Sequence, residues 1–334
     1  MIRSFPTLRR AALAAIVLGG ACSTALALDT SRADVQAFVD RVVDKHGLER
    51  TAVEQWLAHA TIDAGIIEKI SRPAERVRPW HEYRQIFLTT ERITAGVEFW
   101  NEHTATLKAA EDKYGVPAEI IVGIIGVETY YGRITGRYTV RDALATLAFD
   151  YPPRSRFFGG ELEAYLLLSR AEGWDVDSVL GSYAGAMGRG QFIPTSYREY
   201  AVDFDDDGRR DLFDSWPDAI GSVANYLARH RWRRGEPVVA PARIKKPFSI
   251  VPPQKNTLKL TSTLGDLRAG GVRTAIDGDA ATPATLIRLD GVDRNDYWVG
   301  RHNFYVITRY NRSVMYALAV QQLGAAIATK RSSR

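Results

Sequence analysis

The sequence predicts a mainly helical α+β protein with a small β-rich insertion, and three observations carry that prediction. From about residue 31 to 110 apolar residues recur at helical spacing, with Val35, Phe38, Val39, Val42 and Val43 forming one such stripe between charged residues. Residues 117–131 read PAEIIVGIIGVETYY, where apolar side chains cover nearly every face, as in a central buried helix. Between residues 236 and 300, Pro237, Pro241, Pro247, Pro252, Pro253 and Pro283 exclude long helices and leave short strands.

At the N-terminus, Arg3, Arg9 and Arg10 precede an apolar run over 11–18, and small residues lead to Ala25-Leu26-Ala27. This is the order of a secretory signal peptide, too short in its apolar part for a stable membrane span. Cleavage after Ala27 would give a soluble periplasmic protein. Gly20-Ala21-Cys22 has some likeness to a lipoprotein box, but Gly19 stands where such boxes carry Leu, which disfavours a lipid anchor on Cys22. No later segment approaches eighteen consecutive apolar residues, so no transmembrane span is expected. The 44 Lys and Arg against 39 Asp and Glu give +5 and a pI near 9.2. Residues 1–27 carry three of those arginines and no acid, so the remainder carries only +2 and no nucleic-acid partner is expected. Cys22 is the one cysteine, which excludes an internal disulfide framework and a multi-cysteine zinc site.

After the signal peptide over 1–27, the helical stripe defines an N-terminal helical region over 28–115. Pro73 and Pro79 bracket a connection in it, and Trp80-His81-Glu82-Tyr83-Arg84 leads into the next helix or loop. Pro117 suits the start of the buried helix and Gly132 its end. Further helices are expected at about 160–172, 176–183, 195–201, 217–229 and 313–328. They give a core over 116–235, an insertion over 236–305 with strands at 259–260, 285–289 and 303–307, and a C-terminal helix over 306–334 that returns to the core.

Glu128 is the most informative single position. Ile124 and Ile125 lie one turn before it and Tyr131 one turn after, so burial and the C-terminal end of the helix dipole both disfavour its charge. A carboxyl so placed suits a general acid at neutral pH, or else a structural carboxylate paired with Arg133 or Arg137. A glycosidase pair would need a second carboxylate. Glu119 is ~13 Å back along the helix at about 1.5 Å per residue, too far for a retaining partner, whereas folding could bring Glu161 or Asp150 close.

The run from Asp203 to Asp214 matches an EF-hand calcium loop: Asp203, Asp205 and Asp207 alternate as oxygen ligands, Gly208 allows the sharp turn, and the carbonyl of Arg209 follows. Asp214 stands where a bidentate Glu is usual and Arg210 where paired hands carry an apolar residue. One unpaired structural site for Ca2+ or Na+ is expected, the alternative being a solvated acidic turn. A third group, Ser182-Tyr183-Ala184-Gly185-Ala186-Met187-Gly188-Arg189-Gly190-Gln191-Phe192 with Tyr310-Asn311 and Tyr316, has the polar and aromatic character of sugar sites, although any one Tyr could equally be core.

Together these segments resemble the lytic murein transglycosylase B family of lysozyme-like enzymes that cut peptidoglycan. The resemblance rests on GVPAEIIVGIIGVETYYG (115–132), YPPRSRFFGGELEAYL (151–166), SYAGAMGRGQFIPTSYREYAVDFDDDGRRDLFD (182–214), AIGSVANYLARHRW (219–232) and NFYVITRYNRSVMYALAV (303–320). It implies a lysozyme-like helical core with Glu128 as sole catalytic acid and base, cleaving after N-acetylmuramic acid with closure of a 1,6-anhydro ring and no catalytic cofactor. It assigns sugar contacts to Tyr83, Ser182, Met187, Gln191, Phe192, Tyr226, Tyr310, Asn311 and Tyr316. It also assigns the cation to Asp203, Asp205, Asp207, Arg209 through its carbonyl, and Asp214. Where the family often has two arginines after Tyr-Pro, this chain has Pro153-Arg154, so Arg154 or Arg156 would take over a stem-peptide contact. The partners it implies are glycan strands and other cell-wall enzymes, with a monomer acting through its groove alone. The competing readings are a water-using muramidase with a second carboxylate and an inactive glycan-binding scaffold.

Overall fold

The computed structural model describes residues 26–72 and 78–333; the expected signal peptide and Cys22 lie almost wholly outside them. Among the described residues the helical stripe becomes six helices: α1 (Ala33–His46), α2 (Arg50–Ala58), α3 (Ala64–Ser71), α4 (Trp80–Tyr83), α5 (Thr90–Glu102) and α6 (Thr104–Tyr114). In α1 the buried Val35, Phe38, Val39 and Val42 form the inward face, and Gly47 ends the helix in the left-handed region. Short strands β1 (Leu26–Ala27) and β2 (Thr61–Ile62) pair antiparallel.

The apolar run forms α7 (Ala118–Thr129), with ten of its twelve residues buried. Around it lie α8 (Val140–Asp150), α9 (Ser155–Glu172), α10 (Pro194–Tyr200) and α11 (Trp216–Arg229). A two-stranded ribbon joins β3 (Tyr138–Thr139) to β4 (Leu180–Gly181). That ribbon corrects the helix expected at 176–183: Asp175 accepts the Asp177 N–H through its side chain and the Ser178 N–H through its carbonyl, making a turn, and the chain then runs extended.

The insertion is an antiparallel five-stranded sheet in the order β6-β8-β9-β5-β7, built from β5 (Val239–Ile244), β6 (Ser262–Thr263), β7 (Val272–Thr274), β8 (Pro283–Asp290) and β9 (Asn295–Gly300). Helix α12 (Leu264–Ala269) covers one face, where Leu264, Leu267, Val272, Leu286 and Val299 make a small separate core. Alternation sends Ile287 and Leu289 of β8 to the other face, into the main core. The strand expected at 285–289 is present within β8. The one expected at 259–260 is not, because Thr263 and Asp266 form a capping box that places the short strand directly before α12.

Residues 303–307, expected as a strand, lie in helix α13 (His302–Tyr310). A five-residue apolar run carries too little periodicity to tell the two apart. Asn303 decides it: its side chain accepts from Arg233 N and donates to the carbonyls of Arg233 and Glu236, fixing the first turn to the core. The return to the core is thus two helices, α13 and α14 (Val314–Ser332), rather than one. Helix α14 lies directly on α7. An added Cβ on Gly123 would come 2.5 Å from the Val320 carbonyl oxygen and one on Gly324 would come 2.2 Å from that of Glu119, so both glycines allow backbone-to-backbone approach.

Candidate active site

Within α7 only Glu119 and Glu128 escape full burial, so the last turn presents one carboxylate to the surface cleft. The helix stops abruptly because Tyr130 (φ 51°), Tyr131 (φ 57°) and Gly132 (φ 79°) are all left-handed. Each tyrosine pays roughly 1–2 kcal/mol for that conformation. The surroundings hold it: Thr129 Oγ1 accepts from Gly132 N at 3.0 Å and donates to the Arg189 carbonyl at 2.9 Å. Arg92 donates to the Gly126 carbonyl at 2.6 Å with its guanidinium 4.3 Å from the Tyr130 ring centre, and Tyr131 stacks on Phe99 at 5.4 Å. Neither Arg92 nor Thr129 stood out in the sequence, since their partners are remote in the chain.

Tyr316, in the first turn of α14, donates its phenolic hydrogen to Glu128 Oε1 at 2.5 Å. Burial first, and the Glu128 charge next, push the phenols of Tyr316 and Tyr310 well above their ordinary values, so both stay neutral donors. Tyr310 gives its hydrogen to the Gly190 carbonyl at 2.6 Å, and Tyr226 gives its own to the Arg309 carbonyl at 2.6 Å. The rings of Phe192, Tyr226 and Tyr310 meet edge to face at 4.7 to 5.9 Å. The structure therefore brings Glu128, Phe192, Tyr226, Tyr310 and Tyr316 into one aromatic-walled site.

The small-residue segment supports its rim. Ser182 Oγ accepts from the N–H groups of Ala184 and Ala186, both at 3.2 Å, closing a turn. Met187, fully buried, bridges Gly181 and Phe192. Gln191 is left-handed (φ 52°), and its amide donates to the carbonyls of Thr135 and Gly188 at 2.8 and 3.1 Å. Gly185 is left-handed too, and a Cβ there would strike Leu144 at 2.4 Å, so this turn needs glycine.

Tyr83 is buried close to Tyr316, which places it behind the same site. Asn311 is exposed beside Tyr310. Arg154 stands apart: its guanidinium lies 4.2 Å from the Phe157 ring centre, at a surface hollow lined by residues 152–157. The three carboxylates considered as partners for Glu128 are engaged or distant. Glu161 accepts from Thr195 N at 2.9 Å and Thr195 Oγ1 at 2.7 Å, Asp150 pairs with Arg32 at 2.7 Å, and Glu119 is at the far end of α7.

In the acidic loop the structure brings together a carboxylate that the spacing does not point to. Asp203, Asp205 and Asp218 each offer a carboxylate oxygen within 4.8 Å of the others. Asp207 and Asp214 are outside this group: Asp207 Oδ1 accepts the Arg209 N–H at 2.8 Å, while Asp214 is exposed. Asp218 escaped the sequence reading because it lies past the twelve-residue loop, in the first turn of α11, where nothing but folding returns it. It is fully buried and accepts from Phe204 N and Asp211 N, both at 2.7 Å. Burial, with Asp205 and Asp203 close by, raises its proton affinity against those two bonds. Three clustered carboxylates, one wholly buried, fit a hard cation with oxygen ligands.

The transglycosylase SLT domain matches residues 30–325, nearly all of the described chain. The chain belongs to that family. It is 43% identical over 307 residues to the membrane-bound lytic murein transglycosylase B of Escherichia coli K12, covering 89% of this chain and 83% of that one. Among solved structures, the catenated lytic transglycosylase SltB1 of Pseudomonas aeruginosa superposes with a TM-score of 0.84 at 49% identity, covering 90% of this chain and 98% of the other. The Escherichia coli lytic transglycosylase Slt35 in complex with calcium gives 0.81 at 41%, over 92% and 97%. SltB3 of Pseudomonas aeruginosa in complex with NAG-anhNAM-pentapeptide gives 0.72 at 31%, over 88% and 78%. As an SLT-domain protein with these relatives, the chain is a lysozyme-like lytic murein transglycosylase, a lyase acting on peptidoglycan.

Proposed function

We propose that this lytic transglycosylase cuts the β-1,4 bond after N-acetylmuramic acid with Glu128 as both acid and base. The observation that carries the reading is the Tyr316 hydrogen bond to Glu128 Oε1, in a site walled by tyrosines, with Glu161 and Asp150 engaged elsewhere and Glu119 at the far end of α7. Protonated Glu128 gives its proton to the leaving O4 as C1–O4 breaks. The carboxylate then takes the proton of the sugar's own C6 hydroxyl as O6 bonds to C1. No water is consumed, and Glu128 ends as it began. Tyr316 orients the carboxyl through Oε1. Mass spectrometry of soluble muropeptides tests this: 1,6-anhydro ends are expected, and reducing N-acetylmuramic acid alone would overturn it. Glu128→Gln should lose about 10²–10⁴-fold in rate.

Sugar contacts fall to Tyr83, Ser182, Met187, Gln191, Phe192, Tyr226, Tyr310, Asn311 and Tyr316, the open rim making direct bonds and the buried members shaping the floor. Residues 1–27 serve export to the periplasm on the strength of their charged, apolar and A-x-A order. Asp203, Asp205 and Asp218 hold a structural calcium ion that ties the acidic loop to α11, in keeping with the calcium complex of Slt35.

A further inference from the structure

The open face of the inserted sheet carries groups that the Glu128 site does not use. Counting alternate residues, Arg294, Asp296 and Trp298 of the β9 hairpin share a face with Pro241 and Arg243 of β5, because Pro241 is the register partner of Trp298. On the β8 side this face is covered, with Ile287 and Leu289 buried in the main core. On the β5 and β9 side it is open, and a hollow of about 500 Å³ is lined by Pro241, Arg243, Arg294, Asp296 and Trp298 among others.

Two independent features of the hollow point to an anion. Arg243 lies directly opposite Arg273 of β7, two exposed like charges in register on neighbouring strands. Such a pair is destabilising unless something neutralises it. Among the described residues, the guanidinium groups of Arg243 and Arg294 have no ion-pair or hydrogen-bond partner, and Asp296 pairs with neither. Asp296 falls between the two arginines on this face, and Trp298, the register partner of Pro241, flanks them with its indole N–H buried and unbonded. The tip of the hairpin reaches α4, where His81 Nδ1 is 3.2 Å from the Asp290 carbonyl, so the sheet is fastened beside the helix that carries Tyr83.

We infer that this face is a second substrate-binding site, which holds the carboxylates of peptidoglycan stem peptides on Arg243, Arg273 and Arg294 with Trp298 as an apolar floor. The inference rests on the chain acting on peptidoglycan, whose stems supply free carboxylates at every repeat of the glycan. The positive face then engages the polymer away from the bond being cut, and its contribution appears in affinity for the polymer rather than in the chemical step.

The test is co-sedimentation of full-length protein carrying Glu128→Gln, which leaves the polymer intact, with purified sacculi and with the same sacculi after their free stem carboxylates are capped as amides with a carbodiimide and an amine, which keeps the cross-links. Adding Arg243→Ala and Arg294→Ala should weaken binding to intact sacculi about tenfold, and Arg243→Glu should weaken it further. High salt should remove the difference, because exposed charges are screened. On capped sacculi parent and variant should bind alike. In the active enzyme the double variant should raise KM on sacculi and leave kcat on a short soluble glycan unchanged. Equal binding to untreated sacculi, or an equal loss on capped ones, would overturn the inference. The sedimentation assay needs no turnover, so it stands even if the Glu128 mechanism fails.

Discussion

At the scale of single residues, Glu128 and Tyr316 differ in how far the sequence reveals them. A carboxylate in an otherwise apolar helical run has to be either partnered or chemical, so Glu128 stands out unaided. Its phenol donor comes from 188 positions away, and no local pattern ties the two. Family likeness names Tyr316 as a sugar contact, whereas its hydrogen bond orients the Glu128 carboxyl. Replacing Tyr316 by Phe keeps the packing and removes one hydrogen bond to a charged group, worth about 1.5–3 kcal/mol. At about 1.4 kcal/mol per tenfold, kcat should fall roughly 10–100-fold with little change in KM. The pH–rate limb that reports the active-site carboxyl should also move to higher pH, since the lost bond favoured the charged form. Steady-state kinetics across pH check both, and a change confined to KM would return Tyr316 to the role of sugar contact alone.

Between elements, close approach and charge do most of the positioning. Alanine in place of glycine inside a helix ordinarily stabilises by about 1 kcal/mol. At Gly123 the new methyl would sit 2.5 Å from the Val320 carbonyl oxygen, and α14 would have to move away. Overpacking of this kind costs about 1–3 kcal/mol, so the steric effect wins and Gly123→Ala should lower the melting temperature. It should lower kcat as well, because α14 carries Tyr316. A variant as stable and active as the parent would show that α14 does not set the Glu128 geometry.

Helices α1 and α9 are joined differently, through Glu163, which faces Lys45 at 2.8 Å, His46 at 2.9 Å and Arg41 at 3.5 Å. Burial pushes the Glu163 carboxyl up, but Lys45, His46 and Arg41 together outweigh it and hold it below its ordinary value. A depressed carboxylate stabilises the fold above its unfolded pKa of about 4.3, and that stability is lost as pH falls through the folded value. Glu163→Gln should therefore cost about 1 kcal/mol at neutral pH, the cations being largely solvated, and progressively less below about pH 4. Denaturant titrations at several pH values measure it. This tie was hidden in the sequence, because α9 begins five residues before its expected start and the charges that meet Glu163 lie on another helix.

Across the whole molecule, the order of helices, insertion and returning helices was legible because each long apolar period has one cheap solution. Residues 176–183 and 303–307 were misread because each is short and its conformation is set by a capping Asp or by an Asn that bonds remote backbone. In the acidic loop, spacing alone points to Asp214, whereas packing of α11 brings Asp218 beside Asp203 and Asp205. The two ligand sets predict different outcomes. A cation bound only by the folded protein stabilises it by about 2.7 kcal/mol at a hundredfold excess over Kd, enough for a rise in melting temperature of several degrees. Chelator should remove that rise and calcium restore it. Asp205→Asn takes a member out of the clustered group and should abolish the response, whereas Asp214→Asn should keep it nearly whole. Differential scanning fluorimetry with and without calcium separates them, and loss of the response in Asp214→Asn alone would restore the twelve-residue loop as the ligand set.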